Sequence, residues 1–272
     1  MSDEFKRVMR GLASNEILIP TIHAALYDPS FKGFNVQVET FSPRPYDGKF
    51  HPSTHSTWTV RQLYVYLVAH EWLETERMPL TGVFAVTQGK FWHDFLQNIL
   101  LSAVLLVKHR DFGGPINPAE VPIRDPEHNR FGHADGRLVN RDEGLEIKTI
   151  NGFQVEKVTS EDVLRQKKPG YWAQTQDYLD VLGLSAMRYL MLNPDYPFKM
   201  KEFVVSANKA YQARRRDEYQ LAMLLAQEYP DVRELENPNT PIPICDGCGI
   251  KSTMAKECPA RRVCPIGKLA AA

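Results

Sequence analysis

The sequence predicts an α/β fold, a central mixed sheet flanked by helices, with a C-terminal four-cysteine metal module. Three observations carry this. Segments of helical period alternate with short strand-like stretches in the order helix, strands, helix, strand, helix. An otherwise apolar strand pair, inside GHADGRLVNRDEGLEIKTI (132–150), holds Asp135, Glu146 and Lys148. All four cysteines, Cys245, Cys248, Cys258 and Cys264, fall at the end of the chain.

Residues 1–58 read as a mixed helical and loop region, with FSPRPYDGKFHPSTHS (41–56) as loop. A core over 59–236 follows. Within it TVRQLYVYLVAHEWLETE (59–76) is a helix, from the spacing of Leu63, Tyr66, Leu67, Trp72 and Leu73. QGKFWHDFLQNILLSAVLLVKH (88–109) is a second, its apolar stripe running from Phe91 to Leu100 with His93, Lys90 and Gln97 at the flank. Residues 110–130 read as a Gly/Pro-rich connection. Strands are expected near 131–139 and 145–150, joined by Asn140-Arg-Asp-Glu-Gly144. A helix over 169–184, a strand over 198–208 and a helix over 213–229 complete the core. Residues 237–267 are a Pro-rich linker and the cysteine module, and 268–272 resemble a vector-derived tail.

Lys+Arg and Asp+Glu both count 33, so a polyanion partner would have to meet a local patch rather than a global basic excess. The longest apolar run, 99–107, is too short to span a membrane, and the first residues carry no signal-peptide core. The expectation is a soluble, cytoplasmic protein without a membrane partner.

Strand side chains alternate, so Glu146 and Lys148 share one face while Leu145, Ile147 and Thr149 share the other. Asp135 joins them from the preceding strand, and the expected site faces solvent. Two carboxylates in one pocket repel unless a cation neutralises them. Oxygen ligands suit Mg2+ or Mn2+. A lysine beside such an ion can orient or help deprotonate water, as metal-assisted phosphodiester hydrolysis requires. The plainer alternative is an exposed hairpin with a surface Glu–Lys pair.

Asp135…Glu146-Ile147-Lys148 resembles the PD-(D/E)XK nuclease signature. Gln174-Thr-Gln-Asp-Tyr178 resembles the Q-x-x-x-Y element of RecB-like members, and Gly89-Lys-Phe-Trp-His93 the G-x-x-x-H helix that supplies a histidine ligand. In this order the motifs look like the RecB-like, CRISPR-associated single-strand exonuclease family and its phage-encoded relatives. The resemblance implies a PD-(D/E)XK restriction-endonuclease-like core. Asp135, Glu146, His93 and the Ile147 carbonyl would hold the metal. Lys148 would be catalytic, and Gln174 and Tyr178 would position lysine, water or DNA. It implies a metal-dependent DNA exonuclease acting on single strands or free ends in recombination or repair, with a helicase or recombination partner or a second copy as further partners. His133 has no counterpart in the metal shell. The rival readings are a restriction-type or structure-specific endonuclease, and a DNA-binding assembly module with a vestigial site.

The cysteines are spaced C-x2-C, nine residues, C-x5-C. Four thiolates suit a tetrahedral zinc or an iron–sulfur cube. The Cys-Pro steps and the resemblance favour a 4Fe-4S cluster, with Zn2+ as the alternative. The family takes one ligand from ahead of the core, and this chain has no cysteine there. In a nuclease, Lys167, Lys168, Arg214, Arg215, Arg216, Arg261 and Arg262 become candidates for DNA backbone contacts, and one of Trp58, Trp72, Trp92 and Trp172 for stacking a base.

Overall fold

A computed structural model describes residues 16–28, 46–73, 80–108, 117–150, 152–194, 199–246, 248, 252 and 258–271. The start of the expected loop at 41–45, the tail of the first helix at 74–76, the last residue of the second at 109 and the first third of the connection at 110–116 lie outside them. Among the described residues four α-helices come first: α1 (Leu18–Leu26), α2 (Pro52–His55), α3 (Val60–Val68) and α4 (Leu80–Ser102). Strands β1 (Val121–Asp125), β2 (Arg130–Ala134), β3 (Gly136–Arg137) and β4 (Glu143–Thr149) follow. Then come α5 (Gly152–Lys157), α6 (Glu161–Lys167), α7 (Pro169–Leu182), β5 (Ala186–Asn193) and β6 (Lys199–Ser206). Helices α8 (Lys209–Glu228) and α9 (Pro265–Ala271) end the chain. The sheet is mixed, as expected: β3 and β4 are antiparallel, β4 and β5 parallel, β5 and β6 antiparallel.

The chain divides into two compact units. The first comprises residues 1–43, 79–123 and 132–208; the second, 44–78, 124–131 and 209–272. The expected core of 59–236 thus contributes to both.

In the first unit the crossover from β4 to β5 runs through α5, α6 and α7, as a parallel pair requires. Leu145 and Ile147 of β4 join Leu190 and Leu192 of β5 in a core with Ile99 and Leu100 of α4 and Leu18 and Ile22 of α1. Strand β5 was not expected from the sequence, and helix α1 falls in the region expected as helix and loop without having been placed there. Ala-Met-Arg-Tyr-Leu-Met-Leu-Asn is buried from Met187 onward on both faces, so it shows no polar alternation. Helix α1 is fixed from afar. The Glu202 carboxylate accepts the N–H groups of Ile17, Leu18 and Ile19 at 2.8, 2.9 and 3.0 Å, placing an anion on the helix N-terminus. Arg188 bridges Glu143 at 2.7 Å and Glu202 at 2.9 Å.

In the second unit α3 packs along α8. Tyr64, Val65 and Leu225 share a core with Leu235, Ile242, Ala260 and Val263. The cysteine segment, expected as a separate module, therefore places apolar residues in the core of this unit. The expected foreign tail is helical at Pro265–Ala271, and Lys268 pairs with Glu236 at 2.7 Å. Among the described residues no helix is long and apolar enough to cross a membrane.

Candidate active site

Asp135 stands at the bend between β2 and β3. Its Oδ2 accepts the Ile147 N–H at 2.6 Å, and its carbonyl accepts Gln97 Nε2 at 2.7 Å. His93 Nδ1 lies 3.3 Å from Asp135 Oδ1. His93 and Gln97 are one turn apart on α4, and Gly89 is one turn earlier. A Cβ at Gly89 would stand 2.9 Å from Thr149 Oγ1, so a glycine there lets α4 approach β4 closely enough to bring His93 to Asp135.

Glu146 and Lys148 share a face of β4, and Lys148 Nζ lies 2.6 Å from Glu146 Oε1. Lys148 also donates to Gln174 Oε1 at 3.3 Å, and Gln174 Nε2 donates to the Tyr178 hydroxyl at 2.9 Å. Helix α7 thereby covers this face of the sheet and fixes the lysine. The site is recessed rather than solvent-facing, with Glu146 only 2% exposed. Its Oε2 is buried without a hydrogen-bond partner. An orphaned anionic oxygen beside a second carboxylate and a histidine fits a hard divalent cation.

Burial pushes the Glu146 carboxyl up to about 7, aided by Asp135 and opposed by Lys148. Burial also disfavours the charged forms of the other three groups, but their partners outweigh it. His93 and Lys148 hold the Asp135 carboxyl below the ordinary range. Asp135 keeps His93 above its own. Glu146 and Asp135 raise the Lys148 ammonium. The lysine is held as a cation, a donor rather than a base.

Three neighbours were not singled out as site residues from the sequence. Glu120, just ahead of β1, is raised to about 7 by burial and then by Asp135 and Asp94. Gln97 holds the Asp135 carbonyl. The Tyr171 ring centroid lies 4.9 Å from Lys148 Nζ. The i, i+4 relation of His93 and Gln97 was visible; the proximity of Glu120 and Tyr171 depends on tertiary packing.

The basic candidates separate. Arg215 is buried, with its Nη donors engaged by the His55 and Trp58 carbonyls and by Glu218, so it holds packing in the second unit rather than facing solvent. Arg214 is exposed over Tyr211, 3.5 Å from Glu218. Lys167 and Arg262 are exposed, while Lys168, Arg216 and Arg261 are half-buried. Lys168 Nζ lies 5.9 Å from the Tyr171 ring that faces Lys148. His133 is exposed. Trp172 is buried, Trp72 is 52% exposed, and Trp58 and Trp92 are half-buried. Asp125, Glu127 and His128 also gather ligand-type atoms. Asp125 is already engaged by Arg130 at 2.6 Å and His128 at 2.9 Å, which makes this cluster a clamp on the β1–β2 turn.

In the second unit all four cysteines line one small cavity together with Arg61, Gln62 and Ala260. Thr59 Oγ1 lies 3.0 Å from Cys245 Sγ, Gln62 Nε2 3.4 Å from Cys258 Sγ, and Arg61 Nη1 3.4 Å from Cys264 Sγ. Burial raises the Cys245 thiol, as do Cys248 and Cys258 beside it. Four cysteines lining one cavity fit a thiolate-bound metal centre.

No protein-family profile matches the chain, and no curated protein matches it. Among solved structures it is similar to the alkaline exonuclease LHK-Exo from Laribacter hongkongensis. Identity is 14%, covering 70% of this chain and 93% of that one, with TM-scores of 0.46 and, for the complex with dAMP, 0.47. It is also similar to SSO0001, at 14% identity over 84% of this chain and 96% of that one, TM-score 0.39. The likeness is one of fold. None of these comparisons singles out the CRISPR-associated family implied by the motif order.

Proposed function

We propose that the first unit is a divalent-metal-dependent nuclease that hydrolyses DNA phosphodiesters, working exonucleolytically on single strands or free ends. The observation that carries this reading is the buried, unpartnered Glu146 Oε2 beside Asp135, His93 and a lysine held by Gln174. A surface Glu–Lys pair would have neither an orphaned oxygen nor a lid of buried polar side chains.

In this reading Asp135, Glu146, His93 and the Ile147 carbonyl hold Mg2+ or Mn2+. The ion would supply Lewis acidity toward the phosphodiester and lower the pKa of water. His93 must give up its raised proton to ligate, and Glu146 must ionise. Lys148, kept cationic, orients the attacking water and meets charge developing on the phosphate. Gln174 and Tyr178 keep its ammonium in place. Lys148→Ala should lower turnover about 10²–10⁴-fold with little change in DNA affinity.

The test uses linear and circular single-stranded DNA with Mn2+ or Mg2+. Degradation of the linear substrate alone, abolished in Glu146→Gln, supports the exonuclease. Cutting of the circle would favour the endonuclease, and metal-independent inertness toward both would favour a vestigial binding module.

For the second unit we infer a metal centre on the four cysteines, an iron–sulfur cluster ahead of zinc. The visible spectrum with iron, sulfide and zinc analysis separates the two; a colourless zinc protein would overturn the cluster.

A further inference from the structure

The first turn of α3 faces the cysteines with an arginine that has no carboxylate. Arg61 is 7% exposed. Its Nε donates to the Pro243 carbonyl at 2.9 Å, Nη2 to the Ile242 carbonyl at 3.4 Å, and Nη1 to Cys264 Sγ at 3.4 Å. Among the described residues it forms no ion pair with an acid. The other buried arginines contrast with it: Arg130 pairs with Asp125, Arg188 with Glu143 and Glu202, and Arg215 with Glu218.

A buried guanidinium without a counter-charge is costly. The groups in front of it are sulfurs. Four neutral thiols, or two disulfides, would leave the charge uncompensated. Four thiolates around Zn2+, or around an iron–sulfur core of charge 2+, form a dianion. We propose that Arg61 is the counter-charge of a dianionic four-cysteine centre, and that the turn Thr59–Gln62 ties α3 to that centre.

Thr59 and Gln62 complete the tie. Their side chains reach Cys245 and Cys258 while also forming the capping box that starts α3. Three of the four sulfurs are thus met from a single helical turn, on a segment more than 180 residues away in sequence. Hydrogen bonds of this kind orient metal ligands and stabilise the charge they carry. Arg61 is a positioning residue, acting on the centre through its ligands.

This inference rests on the four-cysteine reading and is independent of the nuclease reading. The experiment compares wild type, Arg61→Gln and Arg61→Lys as full-length protein purified without oxygen. It measures iron, sulfide and zinc per chain, the rate of metal loss to a chelator, and, where iron is present, the midpoint potential. Arg61→Gln is expected to lose metal about 10- to 100-fold faster. A cluster in that variant should be harder to reduce, so its potential falls. Arg61→Lys keeps the charge and should stay near wild type in both measures. Unchanged retention and potential in Arg61→Gln would overturn the proposal. Equal loss in both variants would also overturn it, since that marks the carbonyl contacts rather than the charge as what matters. Wild-type protein holding neither iron nor zinc would remove the four-cysteine reading and this inference together.

Discussion

Glu146 is poised between two charge states, which gives the proposed metal site a definite pH response. Ligation needs Glu146 ionised and His93 neutral, yet the fold raises the pKa of both. Mn2+ affinity should therefore climb steeply around pH 7, with protons released on binding. Calorimetry in buffers of different ionisation enthalpy measures that release, and a flat profile would remove both residues from the ligand set. The same shifts bear on stability. Glu146 and Glu120 both sit near 7 in the fold, above their unfolded values, so each favours folding most when protonated. Metal-free protein should lose melting temperature as pH rises toward and through 7, with His93 adding in the same direction. Glu120→Gln should flatten that decline, and saturating Mn2+ should offset the part due to Glu146. The acids, the lysine and their helix partners were legible because their spacing is local or follows a recognisable order. Glu120 was not, because its nearness to Asp135 arises only when the chain folds.

At the scale of elements, helix ends show most clearly what a sequence signals and what it withholds. Helix α7 ends at Gly183, which has φ +65°, with Leu184 N–H bonded to the Leu179 carbonyl. That is a Schellman stop with glycine at the left-handed position, and the expected end lay close to it. Helix α4 ends with the same bonding, Leu105 N–H to Leu100 and Val104 N–H to Leu101, but the left-handed residue is Val104 at φ +58°. A β-branched residue gives no stop signal, so the expected helix ran on to 109. Val104 is 71% exposed, so Val104→Gly should relieve the strain and stabilise by about 1 kcal/mol in thermal or denaturant unfolding. Helix α4 also depends on Gly89. Gly89→Val should push it off Thr149, separating His93 from Asp135 and weakening Mn2+ binding while the far-ultraviolet circular dichroism stays unchanged. Strand β5 escaped notice because burial on both faces removes the alternation by which strands are found. Its Arg188 depends on Glu202, so Glu202→Ala should cost about 3–5 kcal/mol by leaving a buried cation half-paired and α1 uncapped.

At the scale of the whole molecule, the helix–sheet alternation was legible, and the division into two units was not. Each unit is assembled from three separate stretches of sequence, and although loop-like composition surrounds the crossings near 43 and 123, nothing in it says that the chain passes from one unit to the other there. Sequence order alone suggested a core followed by an appended module. The structure groups α3 with α8 and the cysteine segment because their apolar faces match, with Tyr64, Val65, Leu225 and Val263 in one cluster. A cut at the Pro-rich linker therefore should not yield a stable fragment of residues 59–236. It should leave α3 and α8 with an uncovered apolar face, measurable as dye binding and rapid proteolysis within 46–73 and 209–236.

The contact between Glu202 and the start of α1 also sets a timetable for synthesis. The three amides it caps lie 183 to 185 residues before it. A nascent chain leaving the ribosome carries α1 uncapped until β6 has emerged, and α3 waits still longer for the cysteine segment. Neither unit can be finished in passing: the first waits for Glu202 and the second for Cys245–Cys264. Slow loop closure of this kind leaves apolar segments exposed in the interval, so yield in the cell should depend more on translation rate and chaperone supply than the finished protein's stability would indicate.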